Sequence, residues 1–477
     1  MGDDVQRVGG GRADGGLVAS SLAAVFTPDM VASALAEVLG GRRPASATAT
    51  ASPAAAATAA DEGVTLPHVG ALDGMRGVAI ALVVLFHLGA TWLPGGFVGV
   101  DVFFVLSGYL ITGLLLDEAG RCGTVRVARF WARRARRLLP ALCLLLLVLA
   151  ALAATDPRLV SPAALRTDGL ATLFYVQNWN LALQSHAQQV AQIFTPSPLL
   201  HTWSLAVEEQ FYLVWPLVVL AVARPGRAGD AGRSRLWGVV VVGTVASAAA
   251  MAAMSVAGVA PLPTYYDTGS RAFELLVGAG LALAAPIAGR SGRAAASGRS
   301  DRSDRAARPL AARPRTALVA PVRGAAGVVG LAGILAFAAT APGIGAPWVL
   351  RGGLVAVSFA AAALIWSAVG SPAAPATRLL ASAPAVALGR ISYAVYLWHW
   401  PLIVLLTPRT TGLSGAGLGA VQAAATVGAA LASRYLVELP ARRLAPRAAA
   451  RRLVVPVGAT AVACTLLGIV VARPPVP

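Results

Sequence analysis

The sequence predicts an all-α protein, a polytopic transmembrane helical bundle of about 10–11 spans. Of the 477 residues, 57% are hydrophobic and only 13% are charged, whereas soluble globular domains carry about 25% charged residues. Eleven apolar runs reach the roughly 17–25 residues that a helix needs to cross a bilayer. Arginines concentrate in the loops between alternate runs, as the positive-inside rule predicts for cytoplasmic loops.

The predicted spans follow one another from residue 72 onwards. We place them at residues 72–92, 96–116, 138–154, 204–223, 236–258, 269–288, 317–341, 348–368, 385–407, 414–437 and 453–472. A long segment over about 155–202 separates the third span from the fourth. It contains the amphipathic stretch FYVQNWNLAL (174–183), which is typical of a segment at the outer membrane interface.

Four arginine-rich loops set the expected orientation. They lie over 121–137, 224–235, 290–315 and 442–452. With these loops inside, the N-terminus is cytoplasmic and the C-terminus is extracytoplasmic. Residues 1–68 are rich in Ala and Gly, and we expect a disordered cytoplasmic tail there.

The remaining composition excludes several classes of site. The formal net charge of +18 comes from arginines in the loops, so we predict no nucleic-acid partner. The three cysteines show neither metal-ligand spacing nor even pairing, and therefore indicate neither a disulfide framework nor a metal site.

The first span carries ionisable residues that an apolar helix should avoid. In LDGMRGVAIALVVLFH (72–87), Arg76 and His87 are eleven residues apart. They therefore share one helix face, about 16 Å apart along the axis. Asp73 lies one turn before Arg76 on nearly the same face. An arginine at the interface is ordinary, but a histidine inside a span predicts a functional site.

Two later spans carry similar stripes. His201, Ser204 and Glu208 in HTWSLAVEEQFY follow helical spacing and predict either a structural pair or a site for a polar ligand. In ISYAVYLWHWPL, Tyr396 and His399 share a face with Ser392. The tryptophans that flank His399 are also typical of interfacial anchors. Arg271 and Glu274, at i and i+3, predict a local ion pair.

A basic block, ARFWARRARRLLP (128–140), precedes the third span. It is either a positive-inside anchor or a cluster of guanidinium groups that suits phosphate or pyrophosphate. A neutral histidine is a natural general base for a hydroxyl. Together these features indicate a transferase that works across the bilayer. A proton-coupled transporter would also use His and Glu within its spans, so the polar residues alone do not decide.

Six stretches together resemble the membrane acyltransferase-3 family, the integral membrane O-acyltransferases of bacterial cell-surface polysaccharides. They run in family order from about residue 69 to about 440, and 441–477 would add a basic loop and a further transmembrane helix. The matching stretches are LDGMRGVAIALVVLFH with its Arg-x10-His motif, GGFVGVDVFFVLSGYLIT (95–112), FWARRARRLLPA (130–141), NWNL (178–181), HTWSLAVEEQFYLVWP (201–216) and ISYAVYLWHWPL (391–402).

The resemblance implies transfer of an acyl group, usually acetyl, from cytoplasmic acyl-CoA to a hydroxyl of a cell-envelope saccharide. The protein would lie in the bacterial inner membrane and hold no permanent cofactor. Arg76 and His87 would be the signature pair, with His87 as catalytic base or transient acyl carrier. Glu208 would act with them on the acceptor.

The resemblance also assigns binding residues. The implied ligands of the CoA phosphates are Arg76, Arg133, Arg134, Arg136 and Arg137. The implied substrate-binding residues are Asp73, His201, Ser204 and His399. Asp101 and Ser107 belong to matching motifs without an assigned role.

Several alternatives stay open. Some family members continue into an extracytoplasmic SGNH hydrolase-like domain, for which we expect no room in this chain. A separate SGNH-type partner, direct delivery by the membrane domain, or a truncated chain would each account for that. The acceptor could also be a macrolide-type small molecule. A transporter would show inverted repeats, and we see no clear internal repeat. A non-enzymatic scaffold would tolerate loss of Arg76 or His87, and both are present.

Overall fold

The computed structural model describes residues 68–222, 230–285 and 313–443. Within these ranges every regular element is helical. Eight of the described helices are long and apolar enough to cross a membrane. The predicted all-α polytopic bundle is thereby confirmed. Of the expected tail over 1–68, residues 1–67 lie outside the described residues, as does the expected eleventh span.

The helices are numbered in chain order. The first half contains α1 (Gly70–His87), α2 (Gly99–Cys122), α3 (Val127–Thr155), α4 (Pro162–Leu173), α5 (Gln177–Ala182), α6 (His186–Phe194) and α7 (Trp203–Val222). The second half contains α8 (Asp230–Val256), α9 (Pro261–Tyr266), α10 (Thr268–Ala284), α11 (Arg313–Thr340), α12 (Leu354–Gly370), α13 (Pro375–Leu380), α14 (Ala383–Leu405), α15 (Pro408–Thr411), α16 (Gly415–Ala432) and α17 (Leu439–Arg443). Single 3-10 turns at Gly96–Val98 and Leu200–Thr202 precede α2 and α7, and π turns at Val349–Gly353 and Ser433–Glu438 adjoin α12 and α16.

The third span begins earlier than the apolar run that predicted it. The expected span starts at residue 138, whereas α3 begins at Val127 and passes through Pro140 without ending. Arginine and alanine are good helix formers, so the basic block continues the helix rather than forming a loop. Its arginines are consequently held on defined faces of α3.

Consecutive long helices run in opposite directions between two ends of the bundle. We call the end where α1 begins the proximal face and the opposite end the distal face. At the proximal face Tyr109 of α2 donates a hydrogen bond to the carbonyl of Ala285, 3.0 Å away. At the distal face Arg351 bonds the carbonyl of Ser255 at 3.1 Å. The described parts of two predicted arginine-rich loops, residues 121–137 and 230–235, thus lie at the proximal face, where Arg233 donates to the carbonyl of Leu283. The orientation of that face in the membrane stays a prediction.

Two glycine contacts bring helix pairs together near the site. A Cβ on Gly389 of α14 would lie 1.7 Å from the carbonyl oxygen of Asp73 on α1. A Cβ on Gly108 of α2 would lie 1.8 Å from the carbonyl oxygen of Leu275 on α10. Neither distance is possible for a larger residue, so glycine is what permits these close crossings. The crossings fix α1 against α14 and α2 against α10.

One side of the segment between α3 and α7 packs against the bundle, and its expected position at the outer interface stays a prediction. Tyr175 adopts a positive φ of 54°. In the helix α5 that follows, the side-chain amide of Asn178 faces the interior of the bundle. Asn178 donates to the carbonyl of Tyr266 at 3.1 Å and to the Thr268 hydroxyl at 2.8 Å, and Gln210 of α7 donates to the carbonyl of Tyr175 at 2.9 Å. Buried amides need such partners. They anchor α5 to α7 and α10, while Trp179 on its other side is exposed.

Candidate active site

A partly open cavity lies where α1, α2, α3, α7 and α14 meet, and its empty space is about 770 Å³ when the part open to solvent is included. Charged side chains lie towards its proximal end, and hydroxyls follow towards its distal end. The lining residues are Arg76, Val100, Phe103, Phe104, Ser107, Leu110, Arg134, Arg137, Leu138, Ser204, Leu205, Glu208, Tyr212, Ser392, Tyr393 and Tyr396.

The proximal mouth of the cavity is cationic. Arg76, Arg134 and Arg137 all line it. The Arg134 guanidinium lies 3.7 Å from the centre of the Tyr212 ring, which is close cation–π contact. Arg76 is ion-paired with Asp73 at 3.5 Å. Asp73 also contacts His68 at 2.7 Å and is not among the lining residues, so the structure places it beside Arg76 and off the cavity wall.

The basic block of α3 divides into two pairs. Residues three apart share a helix face, so Arg134 and Arg137 line the cavity together. Arg133 instead lies 3.7 Å from Glu118 of α2, a buried carboxylate. The Arg136 Nε donates to the carbonyl of Ala132 in its own helix at 3.3 Å. Neither Arg133 nor Arg136 is among the lining residues.

A hydroxyl and a carboxylate meet inside the cavity. The Ser107 Oγ donates a hydrogen bond of 2.5 Å to Glu208 Oε1. Both side chains are only partly buried and both line the cavity. The sequence singled out Glu208, but Ser107 stood out only as a member of a motif. The two residues are 101 positions apart, and nothing in their local patterns links them.

A second hydroxyl pair lies on the cavity wall towards its distal end. The Tyr396 Oη donates to the carbonyl of His201 at 2.6 Å. Because a phenol has one proton, the Ser204 hydroxyl is the donor in the 2.6 Å contact between Ser204 Oγ and Tyr396 Oη. Both side chains are buried. Beyond this pair lie three histidines that do not line the cavity.

Two of these histidines form a chain of hydrogen bonds with one possible set of tautomers. The His399 Nδ1 lies 2.7 Å from the carbonyl of Tyr396, which can only accept, so this nitrogen carries the proton. The Nε2 of neutral His399 is then an acceptor, and it lies 3.2 Å from His87 Nδ1. His87 therefore donates from Nδ1, and its Nε2 is the nitrogen of the neutral ring that can accept a proton. His399 is fully buried, whereas His87 is partly exposed.

His201 joins the cluster through its ring. Its ring centre lies 5.4 Å from those of His399 and Tyr396. It is buried, and neither ring nitrogen has a hydrogen-bond partner in the described part of the chain. The sequence stripe thus splits: Ser204 and Glu208 reach the cavity wall, while His201 packs behind it. The ring of Trp400, which the sequence suggested as an anchor, covers His87 at 4.8 Å.

A separate charged cluster lies behind the cavity wall. Arg271 pairs with Glu274 at 3.1 Å, as the sequence predicts, and also with Asp101 of α2 at 3.3 Å. All three side chains are 0% exposed. The rings of Phe104, Trp203 and Tyr265 surround the guanidinium, with Tyr265 nearest at 4.3 Å.

Tyr265, which lies outside the membrane-spanning helices, stays neutral. Burial raises the pKa of the Tyr265 phenol well above its usual value, against the opposing effect of Arg271. Its contact with Arg271 is therefore made by a neutral ring. Among the described residues, no group of three His, Cys, Asp or Glu side chains is arranged to hold a metal ion.

The sequence is similar to a known protein family and to several named proteins. The profile of the Acyltransferase domain family matches residues 69–437. The chain is 35% identical to the putative peptidoglycan O-acetyltransferase YrhL of Bacillus subtilis over 343 residues, 72% of this chain and 49% of that protein. It is 33% identical to the peptidoglycan O-acetyltransferase OatA of Listeria monocytogenes over 343 residues, with 72% and 50% covered.

A third relative shows the same partial coverage. The O-acetyltransferase OatA of Staphylococcus aureus is 32% identical over 336 residues, 70% of this chain and 50% of that protein. The chain therefore spans about half the length of the curated relatives it matches. No solved structure matches it.

Proposed function

The chain belongs to the family of acyltransferase domains, and from this premise we propose that it transfers an acetyl group from cytoplasmic acetyl-CoA to a hydroxyl of the cell-wall glycan. The three relatives named above are described as O-acetyltransferases, two of them acting on peptidoglycan. Since the chain matches about half of each, the donor, the acceptor and the partners are all part of the proposal.

The cationic mouth supports acetyl-CoA as the donor. Guanidinium groups form strong, charge-assisted hydrogen bonds with phosphate oxygens. Arg76, Arg134 and Arg137 together line the cavity on its proximal side, where the described parts of the arginine-rich loops also lie. By the positive-inside rule that face would be cytoplasmic, and the bacterial inner membrane would be the location. The thioester would then enter the cavity while the CoA phosphates stay at the arginines.

The histidine pair supports acyl transfer at the distal side. The lone pair on His87 Nε2 would remove the proton of an acceptor hydroxyl as its oxygen attacks the acyl carbonyl carbon. His399 would hold His87 in the required tautomer through the 3.2 Å hydrogen bond. A placed general base contributes about 10²–10⁴-fold to the rate. The acceptor could be the glycan itself or a group on a separate SGNH-type partner that passes the acetyl group on.

The single observation that carries this proposal is the order of groups through the bundle. Three arginines lie at one end of the cavity, and a histidine whose Nε2 can accept a proton lies beyond its other end. An acyl carrier with phosphates at its head and a thioester at its end would match that order.

The test is transfer of radiolabelled acetyl from acetyl-CoA in membranes that contain the full chain and cell-wall material. We expect label in the glycan fraction with the wild type and at least about 100-fold less with His87→Ala, at matched membrane levels. Everted and right-side-out vesicles would show from which side acetyl-CoA is used. Equal transfer by both proteins would contradict the role of His87. Solute accumulation in vesicles without ester formation would favour a transporter.

A further inference from the structure

We propose that Ser107 is the nucleophile that first takes the acetyl group from the thioester, with Glu208 as its general base. The inference rests on the proposed function, because it divides that reaction into two steps. The acetyl group would be held as an ester on Ser107 before it passes to the acceptor. The hydrogen bond between the two side chains is the starting point of the argument.

The hydroxyl of Ser107 has the bonding that nucleophilic catalysis requires. It donates to a carboxylate oxygen at 2.5 Å, so a proton acceptor is already in place for the attacking oxygen. Three other hydroxyls on the cavity wall do not donate to a carboxylate. Ser204 donates to Tyr396, Tyr396 donates to the carbonyl of His201, and Tyr393 donates to the carbonyl of Leu138 at 2.9 Å.

The position of Ser107 explains why an intermediate carrier would be useful. Ser107 lines the cavity together with the arginines of the mouth. His87 does not line the cavity, and the bonded pair of Ser204 and Tyr396 lies on the cavity wall on the side of the histidines. An acetyl group that enters from the mouth therefore meets the Ser107 hydroxyl before it can meet an acceptor held at His87.

The first step balances with the groups present and acetyl-CoA alone. The Ser107 Oγ attacks the thioester carbonyl carbon, and Glu208 takes the Oγ proton. The positive charge of the arginines lining the cavity stabilises the oxyanion. The C–S bond then breaks, the CoA sulfur takes the proton from Glu208, and CoA leaves as the thiol. The products are an acetyl ester on Ser107 and a regenerated Glu208 carboxylate.

The second step restores the enzyme. The acceptor oxygen attacks the ester carbonyl carbon while His87 takes the proton of the acceptor hydroxyl, and the bond from that carbon to Ser107 Oγ breaks. Ser107 Oγ takes a proton from water in the partly open cavity by way of Glu208, and His87 releases its proton to water, so the protons balance. No oxidant, reductant or metal is consumed in either step.

The test is direct detection of the ester on the purified full chain. The protein would be mixed with radiolabelled acetyl-CoA without acceptor, quenched in acid and analysed by peptide mass spectrometry. We expect one acetyl group on the peptide that contains Ser107, released by hydroxylamine. Ser107→Ala should give none, and Ser107→Cys should carry a thioester instead. Ser358→Ala is the matched control, because this buried serine bonds the carbonyl of Leu354 in its own helix at 2.9 Å.

The Glu208→Gln variant tests whether Glu208 acts as a general base or only as a hydrogen-bond partner of Ser107. Glutamine can still accept the Ser107 hydrogen bond but cannot take its proton. We expect the rate of ester formation to fall by about 10²-fold or more while KM for acetyl-CoA stays within about twofold. An unchanged rate would overturn the assignment of Glu208.

The outcomes separate this inference from the proposed function. Label in the glycan with no ester on Ser107, and full transfer by Ser107→Ala, would overturn the inference alone. An ester on Ser107 without label in the glycan would support the inference and contradict the acceptor. Neither ester nor glycan label from the wild type would overturn both. If Ser107→Ala fails to fold, Ser107→Cys decides, since loss of any adduct from a folded cysteine variant overturns the proposal.

Discussion

Two groups of charged side chains lie on either side of Phe104 of α2. One is fully enclosed by protein, and the other faces the cavity. The cluster of Arg271, Asp101 and Glu274 is sealed, with every member fully buried and an aromatic wall around the guanidinium. The group of Arg134, Ser107 and Glu208 lines a cavity and remains partly accessible. We call the first the sealed cluster and the second the open group.

The difference teaches how a membrane bundle uses the same residue types for two tasks. A buried charge needs polar or oppositely charged partners, and in the sealed cluster other protein groups supply all of them. In the open group, part of this stabilisation comes from the molecules that occupy the cavity. Ionisable residues within spans are expensive in both places, so their presence alone does not reveal which task they serve.

The largest expected effect breaks the sealed cluster. Arg271→Met leaves two carboxyl groups buried without their cation, and breaking a buried ion pair in this way costs about 3–5 kcal/mol. We expect the variant to lose most of its folded fraction in detergent, measured by size-exclusion chromatography and thermal unfolding. Arg134→Met makes the same change in the open group and should keep the fold. Equal unfolding temperatures for the two variants would show that the comparison is wrong.

The histidine pair is intermediate, because one member is buried and the other is partly exposed. His399→Phe removes the acceptor of the His87 Nδ1 proton, so the Nε2 lone pair is no longer fixed. We expect kcat to fall about 10–100-fold, the range found when a partner that orients a functional histidine is lost. KM for acetyl-CoA should not change, since His399 does not line the cavity.

The control for that variant lies beside it on α14. Trp398→Phe trims a buried ring whose nitrogen has no hydrogen-bond partner among the described residues, and kcat should stay within about twofold. A rate for His399→Phe equal to the wild type would mean that His87 holds its tautomer without help. A shifted pH–rate profile, in contrast, would support the positioning role.

Much of this arrangement could be predicted from the sequence. What could not be predicted depends on how the helices pack against one another. Hydropathy located the helices, and helical spacing placed Arg76 and His87 on one face. Spacing shows which residues share a face but not which neighbouring helix that face meets. The partners of Glu208 and Arg271 on α2 are 101 and 170 positions away along the chain.

The basic block of α3 shows the same limit at shorter range. Its arginines look alike in the sequence, and composition gives no reason to separate them. The buried Glu118 on α2 pairs with Arg133, so the arginines next to the cavity differ from their neighbours only through the packing of α2 against α3. The tautomer of His87 likewise depends on a backbone carbonyl, which no side-chain pattern records.

A smaller effect tests that division of the arginine block. Arg134→Met should raise KM for acetyl-CoA about tenfold, the loss of roughly one charge-assisted hydrogen bond to a phosphate, and leave kcat nearly unchanged. Arg136→Met should leave both constants within about twofold, because Arg136 bonds its own helix. Initial rates over a range of acetyl-CoA concentrations measure both constants. An equal rise in KM for the two variants would mean that the whole block, rather than one face, binds the donor.

The smallest expected effect concerns the distal end of the cavity. Tyr396→Phe removes a hydroxyl that accepts from Ser204 and donates to the carbonyl of His201, at a cost of about 1–2 kcal/mol. Without that pair, water can approach the acyl group from the distal side, so CoA release should exceed glycan acetylation by a few-fold. The ratio of free thiol to glycan ester measures this leak. Tyr393→Phe removes a hydroxyl from the same wall that bonds the carbonyl of Leu138 and not the histidine side, and its ratio should match the wild type. If both variants leak equally, the hydroxyl pair does not keep water from the acyl group, and the boundary between the open group and the histidines must lie elsewhere.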